Sequence, residues 1–213
     1  MDVVAATLGL LLLLPVIFAI ALAIAVNSGK PVLFRQQRVG RNGRDFHLLK
    51  FRTMTIETTK NGIGLTRDGD SRVTGIGRWL RKRKLDELPQ LFNVLKGEMT
   101  LVGPRPDLEE FWSRASAEDR RVLELTPGIT GAASLAFSDE ERLLAQVSSE
   151  HLTSFYLQQV LPQKAGIDRE YAAHATFRSD CAILLKTVLV PLHQMHRIGS
   201  GVIERGINEQ VSK

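Results

Sequence analysis

Cysteine occurs once in the 213 residues, at Cys181, so no disulfide can close within the chain and the composition suits a reducing compartment. A lone cysteine is ordinarily a packing residue, and none of the chemistry below is assigned to it. Aromatic residues make up only 6% of the chain, too few for the stacking platforms that hold single-stranded nucleic acid, and no nucleic-acid partner is expected. Internal repeats and low-complexity blocks are absent, which argues against solenoids and disordered linkers. No Lys or Arg precedes Lys30. A cleaved secretory signal begins with a basic region, so cleavage is not expected here, although Ala21-Leu22-Ala23 supplies small residues of the right kind. Charge of either sign is missing from Val3 to Val26.

Twenty-four uncharged residues as a helix run roughly 36 Å, enough for a hydrocarbon layer of about 30 Å. Pro15 lies in the middle of the run, where a missing donor and a ring clash predict a kink or break. Each half then reaches only about 17 Å, roughly the bilayer midplane. The physics leaves two geometries open, a kinked span or a helix that enters and leaves by one face. Between Asn27 and Pro106 there are 17 Lys/Arg against 7 Asp/Glu, whereas the rest of the chain is net acidic. A basic segment after an apolar one suits anionic lipid headgroups and phosphorylated substrates. The basic run Lys30, Arg35, Arg38, Arg41 and Arg44 also places the following domain on the cytoplasmic side of the membrane.

Beyond a turn at Asn27–Pro31, a short strand is expected over Pro31–Phe34, a tight hairpin turn over Val39–Arg44, and a partner strand over Asp45–Met54. Thr58–Asp70 reads as a glycine-rich polar loop. Helices are expected over Ile76–Lys84, Leu88–Leu95, Leu108–Leu125, Asp139–Leu161 and Asp168–Val190, with a rigid extended Val102–Pro106 between them. The fold class is therefore mainly α with a small β-hairpin or sheet, joining an amino-terminal membrane helix to a compact cytoplasmic domain.

Adjacent carboxylates Asp86 and Glu87 follow the cations Arg81, Lys82, Arg83 and Lys84. Helix capping would account for them locally. The chemical reading is that they meet a diphosphate and Mg²⁺. A carboxylate can attack phosphorus, and a divalent metal with oxygen ligands neutralises phosphate charge. Asp68-Gly69-Asp70 has the acid-x-acid form of metal sites in some nucleotide-sugar glycosyltransferases, but a triplet of this composition is ordinarily a turn. His193 and His196 share a helix face at a spacing of three, without a third ligand nearby. Gly75-Ile76-Gly77 lacks the third glycine of a dinucleotide fingerprint. A membrane-anchored, metal-dependent glycosyltransferase using Asp68 and Asp70 is one alternative, and a non-enzymatic basic membrane adaptor another.

Several stretches, in order, carry a resemblance. They are Lys30-Pro31-Val32-Leu33-Phe34-Arg35-Gln36 with Arg38, Gly40 and Gly43; Lys50-Phe51-Arg52-Thr53-Met54; and Arg72-Val73-Thr74 with Gly77-Arg78. Leu85-Asp86-Glu87-Leu88-Pro89-Gln90-Leu91, Asn93-Val94-Leu95-Lys96-Gly97, Leu101-Val102-Gly103-Pro104-Arg105-Pro106 and Pro127-Gly128-Ile129-Thr130-Gly131 follow. Together they resemble the bacterial sugar transferases, the monotopic phosphoglycosyl transferases, in their minimal form. The resemblance implies a re-entrant helix bent at Pro15 over residues 1–27, a cytoplasmic catalytic domain over 28–195 and a tail over 196–213. It implies transfer of a sugar-1-phosphate from a UDP-sugar to polyprenol phosphate, with undecaprenyl phosphate the expected carrier, among the lipids of a bacterial inner membrane, with release of UMP, as a first step of exopolysaccharide or other glycoconjugate assembly. Asp86 matches the nucleophile that carries the phosphosugar, Glu87 the second member of the dyad, and both are expected at Mg²⁺. Arg105 matches the arginine beside the substrate phosphate, and Lys50, Arg52, Arg72 and Arg78 are expected to join it. Asp168, Tyr171 and Asp180 resemble later family positions. The chain differs from many relatives in having Leu14 before the proline and Ala132-Ala133-Ser134 after Gly131. The sugar and any homo-oligomeric state stay open.

Overall fold

The structure is a computed structural model that describes residues 2–55 and 65–193. It opens with α1, a helix from Asp2 to Ser28 that continues through Pro15. A narrow stripe of α1, Ala6, Leu10, Ile20 and Ile24, is buried against the rest of the chain. Around it Leu8, Leu11, Leu12, Phe18, Leu22 and Val26 lie open. A helix this apolar and this little covered, with a mean hydropathy of 2.9 over its best window, is long and apolar enough to cross a membrane and fits membrane association.

The hairpin forms as the turn signals predict, with a longer first strand. Strand β1 (Leu33–Val39) pairs antiparallel with β2 (Asp45–Phe51), in register from Leu33↔Phe51 to Val39↔Asp45. Asn42 and Gly43 take the left-handed conformations that the turn requires. The free edge of β2 is met by a side chain rather than a strand. Asn93 is fully buried, accepts from Leu49 N (3.1 Å) and donates to His47 O (2.8 Å). This ties β2 to α3 (Gln90–Leu95), which in turn packs along α1.

Helix α2 (Gly75–Lys82) starts at Thr74, whose hydroxyl accepts from Gly77 N. Gly77 faces the Thr53 backbone so closely that a Cβ would overlap its carbonyl oxygen. A strand that the sequence reading did not foresee completes the frame. Strand β3 (Thr100–Val102) pairs in parallel with β4 (Gly128–Thr130). Its glycines escape a propensity reading, and Gly103 and Gly128 approach too closely for any side chain.

The carboxyl-terminal half is helical, as expected, but in shorter pieces. Leu108–Leu125 divides into α4 (Glu109–Trp112), α5 (Ala117–Arg120) and a 3₁₀ turn, because Ser116 accepts from Asp119 N and starts a new helix. Then come α6 (Ala132–Ala136), α7 (Glu140–Ala145) and α8 (Leu152–Phe155), which runs through a π turn (Tyr156–Val160) into α9 (Leu161–His174). Pro162 sits in the first turn of α9, where its missing donor is not needed. Helix α10 (Phe177–His193) begins with a reciprocal cap between Thr176 and Ser179.

Phe111, Tyr156, Leu144 and Leu161 centre the main core, and Phe111 and Tyr156 touch with ring centroids 4.8 Å apart. Two smaller clusters join α1 to the hairpin and to α2, through Phe46, Leu48, Val94 and Met99 and through Phe51 and Leu80. The described residues are mainly helical, with two small sheets and one long apolar amino-terminal helix among them.

Candidate active site

Three backbone segments converge where the charges gather. The end of β2 supplies Lys50, a 3₁₀ turn at Leu85–Glu87 supplies both carboxylates, and the Pro-Arg-Pro segment after β3 supplies Arg105. Lys84, just before the turn, is left-handed at φ 57°, an uncommon conformation for a residue with a side chain. It breaks the chain away from α2 and turns the following carboxylates inward.

Asp86 and Glu87 are 6% and 9% exposed, yet their surroundings differ sharply. Glu87 is gripped by the Arg105 fork, with Nη2 2.6 Å from Oε1 and Nη1 3.3 Å from Oε2, and Lys50 Nζ lies 3.7 Å from Oε1. The Asp86 carboxylate is placed otherwise, its Oδ1 being enclosed without a hydrogen-bond partner among the described residues. Burial, then the neighbouring Glu87 charge, raises the Asp86 carboxyl above the usual carboxylate range, against the pull of Lys50, Arg81 and Lys84. Burial also works to raise Glu87, but Arg105 and Lys50 overcome it and hold that carboxyl well below its usual range. Burial and the Arg105 charge bring Lys50 down to about 7. One carboxylate is thus spent as the counter-ion of an arginine, while its neighbour stays unengaged. Divergent environments for two adjacent acids mark divergent roles.

Arg81 reaches the same region, donating through Nε to Thr53 Oγ1 (3.0 Å) and through Nη1 to Glu141 Oε1 (3.1 Å). The remaining cations expected at phosphate have other placements. Arg72 is forked onto Asp70, with 2.6 Å from Nη2 to Oδ2, and Arg78 is exposed on α2. Arg52 is buried and caps the end of α1, donating to Ser28 O and Gly29 O. Asp68-Gly69-Asp70 forms the turn that its composition suggests, with Gly69 at φ +78° and Asp70 accepting from Arg72 N. His193 ends α10, and His196 lies outside the described residues, as does the tail that follows it.

Among the described residues no three His, Cys, Asp or Glu side chains cluster as a metal site. The donors here still suit Mg²⁺, which takes one or two carboxylates together with substrate phosphates. Asp86 has a free oxygen, Oδ1, for that, whereas both Glu87 oxygens already receive Arg105.

Sequence reasoning missed what stands behind Arg105. Asp107, 9% exposed, accepts from Arg38 Nη1 (2.9 Å), from Leu108 N (3.2 Å) and from the Tyr156 hydroxyl. Tyr156 in turn accepts from Lys164 (3.3 Å), which pairs with Glu140 (2.9 Å). Asp107 follows the Pro-Arg-Pro motif directly and Arg38 lies in a matched stretch, so both had a signal. Tyr156 and Lys164 are about fifty residues further along the chain, and nothing local marks them.

A family profile described as bacterial sugar transferase matches residues 1–194. The chain is 38% identical over 167 residues to the UDP-N-acetylgalactosamine-undecaprenyl-phosphate N-acetylgalactosaminephosphotransferase of Aeromonas hydrophila, which covers 74% of this chain and 39% of that protein. It is 44% identical over 136 residues to the UDP-glucose:undecaprenyl-phosphate glucose-1-phosphate transferase of Caulobacter vibrioides, covering 62% of this chain and 51% of the relative. The Escherichia coli protein of the same name is 41% identical over 141 residues, with 63% and 30% covered. The chain spans about half or less of the length of these relatives.

Proposed function

The chain belongs to the bacterial sugar transferase family, and from that premise we propose that it transfers a sugar-1-phosphate from a UDP-sugar to undecaprenyl phosphate or a similar polyprenol phosphate, releasing UMP. The observation that carries this reading is Asp86, a buried carboxylate with an unpartnered Oδ1 among the described residues, set beside a Glu87 already committed to Arg105. An acid kept free in this way at a cationic site is what in-line attack on phosphorus requires, because no partner must be stripped from it first.

In the first step an Asp86 oxygen attacks the β-phosphorus of the UDP-sugar. The bond from that phosphorus to the bridging oxygen breaks, UMP leaves with the electron pair, and the phosphosugar stays on the aspartyl oxygen. In the second step an oxygen of polyprenol phosphate attacks the same phosphorus, the aspartyl–phosphorus bond breaks, and Asp86 is regenerated as polyprenol diphosphate sugar forms. Arg105, Lys50 and Arg81 gather the charge of the phosphoryl oxygens, which is most of what phosphoryl transfer asks of a protein. Mg²⁺, held by Asp86 with the diphosphate and bordered by Glu87, would add further charge neutralisation. The relatives' names specify different sugars, N-acetylgalactosamine and glucose, so the sugar is left to assay.

We also propose that α1 is re-entrant, bent at Pro15, with residues 28–195 as a catalytic domain on the cytoplasmic face. Support comes from contacts at both ends of α1. Asp2 accepts from the Thr100 hydroxyl, Ala6 packs with Phe46 and Val94, and the other end is capped by Arg52. A perpendicular span would carry Asp2 away from that domain to the far side of the membrane. Cysteines at positions 2 and 28 in a Cys181→Ser background test this, since labelling of position 2 alone from outside intact spheroplasts would show a span.

The catalytic reading is tested by presenting UDP-sugars with undecaprenyl phosphate, identifying the nucleotide released and looking for a phosphosugar adduct by intact-mass measurement. UMP release, with an adduct that Asp86→Asn abolishes, is expected. Near-normal UMP release by Asp86→Asn would sink the assignment, and UDP as product would favour a glycosyltransferase using Asp68 and Asp70.

A further inference from the structure

Pro104 and Pro106 stiffen the chain on either side of Arg105, but they do not anchor it. At the amino-terminal side the anchors are backbone bonds, Gly103 N to Thr130 O and Gly128 N to Pro104 O, both 2.8 Å. On the carboxyl-terminal side they converge on one residue. Asp107 accepts from Val39 N through its backbone oxygen (3.0 Å), and its carboxylate accepts from Arg38, Leu108 N and Tyr156. The Tyr156 hydroxyl is the member of that set supplied from the helical half of the molecule. Tyr156 is about 1% exposed and occupies the π turn at Tyr156–Val160, a helical irregularity found preferentially at functional sites. Lys164 donates to the same hydroxyl and lies over the ring, 5.4 Å from its centroid. A tyrosine placed there for packing alone would not need a hydroxyl between a buried cation and a buried carboxylate.

We propose that Tyr156 is a positioning residue for Arg105, its hydroxyl fixing the Asp107 carboxylate that clamps the Pro-Arg-Pro segment so that the arginine fork meets the transferring phosphoryl group. The proposal rests, for its catalytic consequence, on the phosphoglycosyl transfer reading above. Burial and the Asp107 charge hold the Tyr156 phenol well above its usual range, so it remains a donor at working pH. Arg105 sits at 33% side-chain exposure, which leaves the fork reachable by substrate while the clamp behind it is closed.

The test is Tyr156→Phe, which removes one oxygen and keeps the ring that packs on Phe111. Two readouts apply. Hydrogen exchange should accelerate at the clamp's bonded amides, Val39, Gly103 and Leu108, while the other amides of the β1–β2 hairpin stay protected; a merely structural role would lower protection throughout. In turnover, kcat should fall about tenfold or more with KM within about twofold, since the ground-state contacts persist and the alignment is lost. Combining Tyr156→Phe with Arg105→Lys should cost little beyond Arg105→Lys alone, because both act through one group. Independent, multiplying losses, or unchanged exchange at Val39, Gly103 and Leu108, overturn the proposal. If the wild-type chain turns over no UDP-sugar, the transferase reading fails and the exchange result alone decides the clamp. If Tyr156→Phe does not fold, Asp107→Asn takes its place under the same exchange criterion.

Discussion

Replacing Asp86 by Asn should abolish catalysis and, at neutral pH, make the protein more stable. The carboxylate is 6% exposed, has an enclosed oxygen without a partner, and neighbours a second negative charge on Glu87. Its raised pKa means that burial and Glu87 outweigh Lys50, Arg81 and Lys84. A folded-state pKa above the unfolded value contributes stability that is fully present below the unfolded pKa, about 3.9, and lost as pH rises through the folded one. Above that window the ionised group is a net cost, and an amide of the same shape relieves it. Relief of an unpaired buried polar group is worth about 1–3 kcal/mol. For a chain of this size that corresponds to roughly 2–12 °C in Tm. Thermal unfolding of wild type and Asp86→Asn in detergent with EDTA, at pH 8 and pH 4, measures the gap. It should be clear at pH 8 and close toward pH 4. A variant less stable than wild type at pH 8 would show that the cations dominate, making Asp86 their structural counter-ion rather than a strained, available acid.

Arg105→Lys should lose about tenfold to a hundredfold in kcat/KM, because one ammonium cannot reproduce the two-nitrogen grip on Glu87; kinetics equal to wild type would place Arg105 outside the site. Asp168, pushed up to about 6 chiefly by burial, accepts from Ala133 N (2.9 Å), a bond that Asn also makes. Its raised pKa gives stability present below pH ~3.9 and lost as pH rises through about 6, so Asp168→Asn should gain on the order of 2–3 kcal/mol over wild type by pH 8 and nothing at pH 4, by urea unfolding. A gap independent of pH would refute that account. Gly77→Ala should destabilise by about 1–3 kcal/mol, since its Cβ meets the rigid Thr53 carbonyl; an unchanged unfolding midpoint would mean that α2 can shift away at no cost.

Much of the fold was legible where local signals are strong. An uncharged run makes a helix whatever surrounds it, and Asn42-Gly43 between alternating stretches makes a hairpin turn. The helix boundaries in the carboxyl-terminal half were less legible, because Ser116 and Thr176 start new helices inside segments that carry apolar residues on both sides of the cap. The β3–β4 pairing was invisible, since parallel partners separated by about thirty residues, and rich in glycine, advertise nothing locally.

The residue types of the site were determined by the sequence itself. Adjacent carboxylates after four cations and an arginine between prolines suit phosphate by charge and rigidity, but helix capping would account for the carboxylates as well. It was the ordered resemblance to the sugar transferases that decided between the two readings. Only the tertiary structure decided how those residues divide the work. Asp86 and Glu87 are neighbours in the chain with nearly the same intrinsic acidity, and they differ because burial and long-range partners differ. Arg105, eighteen residues on, closes over Glu87 and leaves Asp86 free. Tertiary packing likewise drew Arg52 to the end of α1 and brought Tyr156 to Asp107, whereas Arg72 is held by Asp70, two residues away in the same turn. Charges at a distance act through geometry, and geometry at that range comes from packing, which no local stretch of residues encodes.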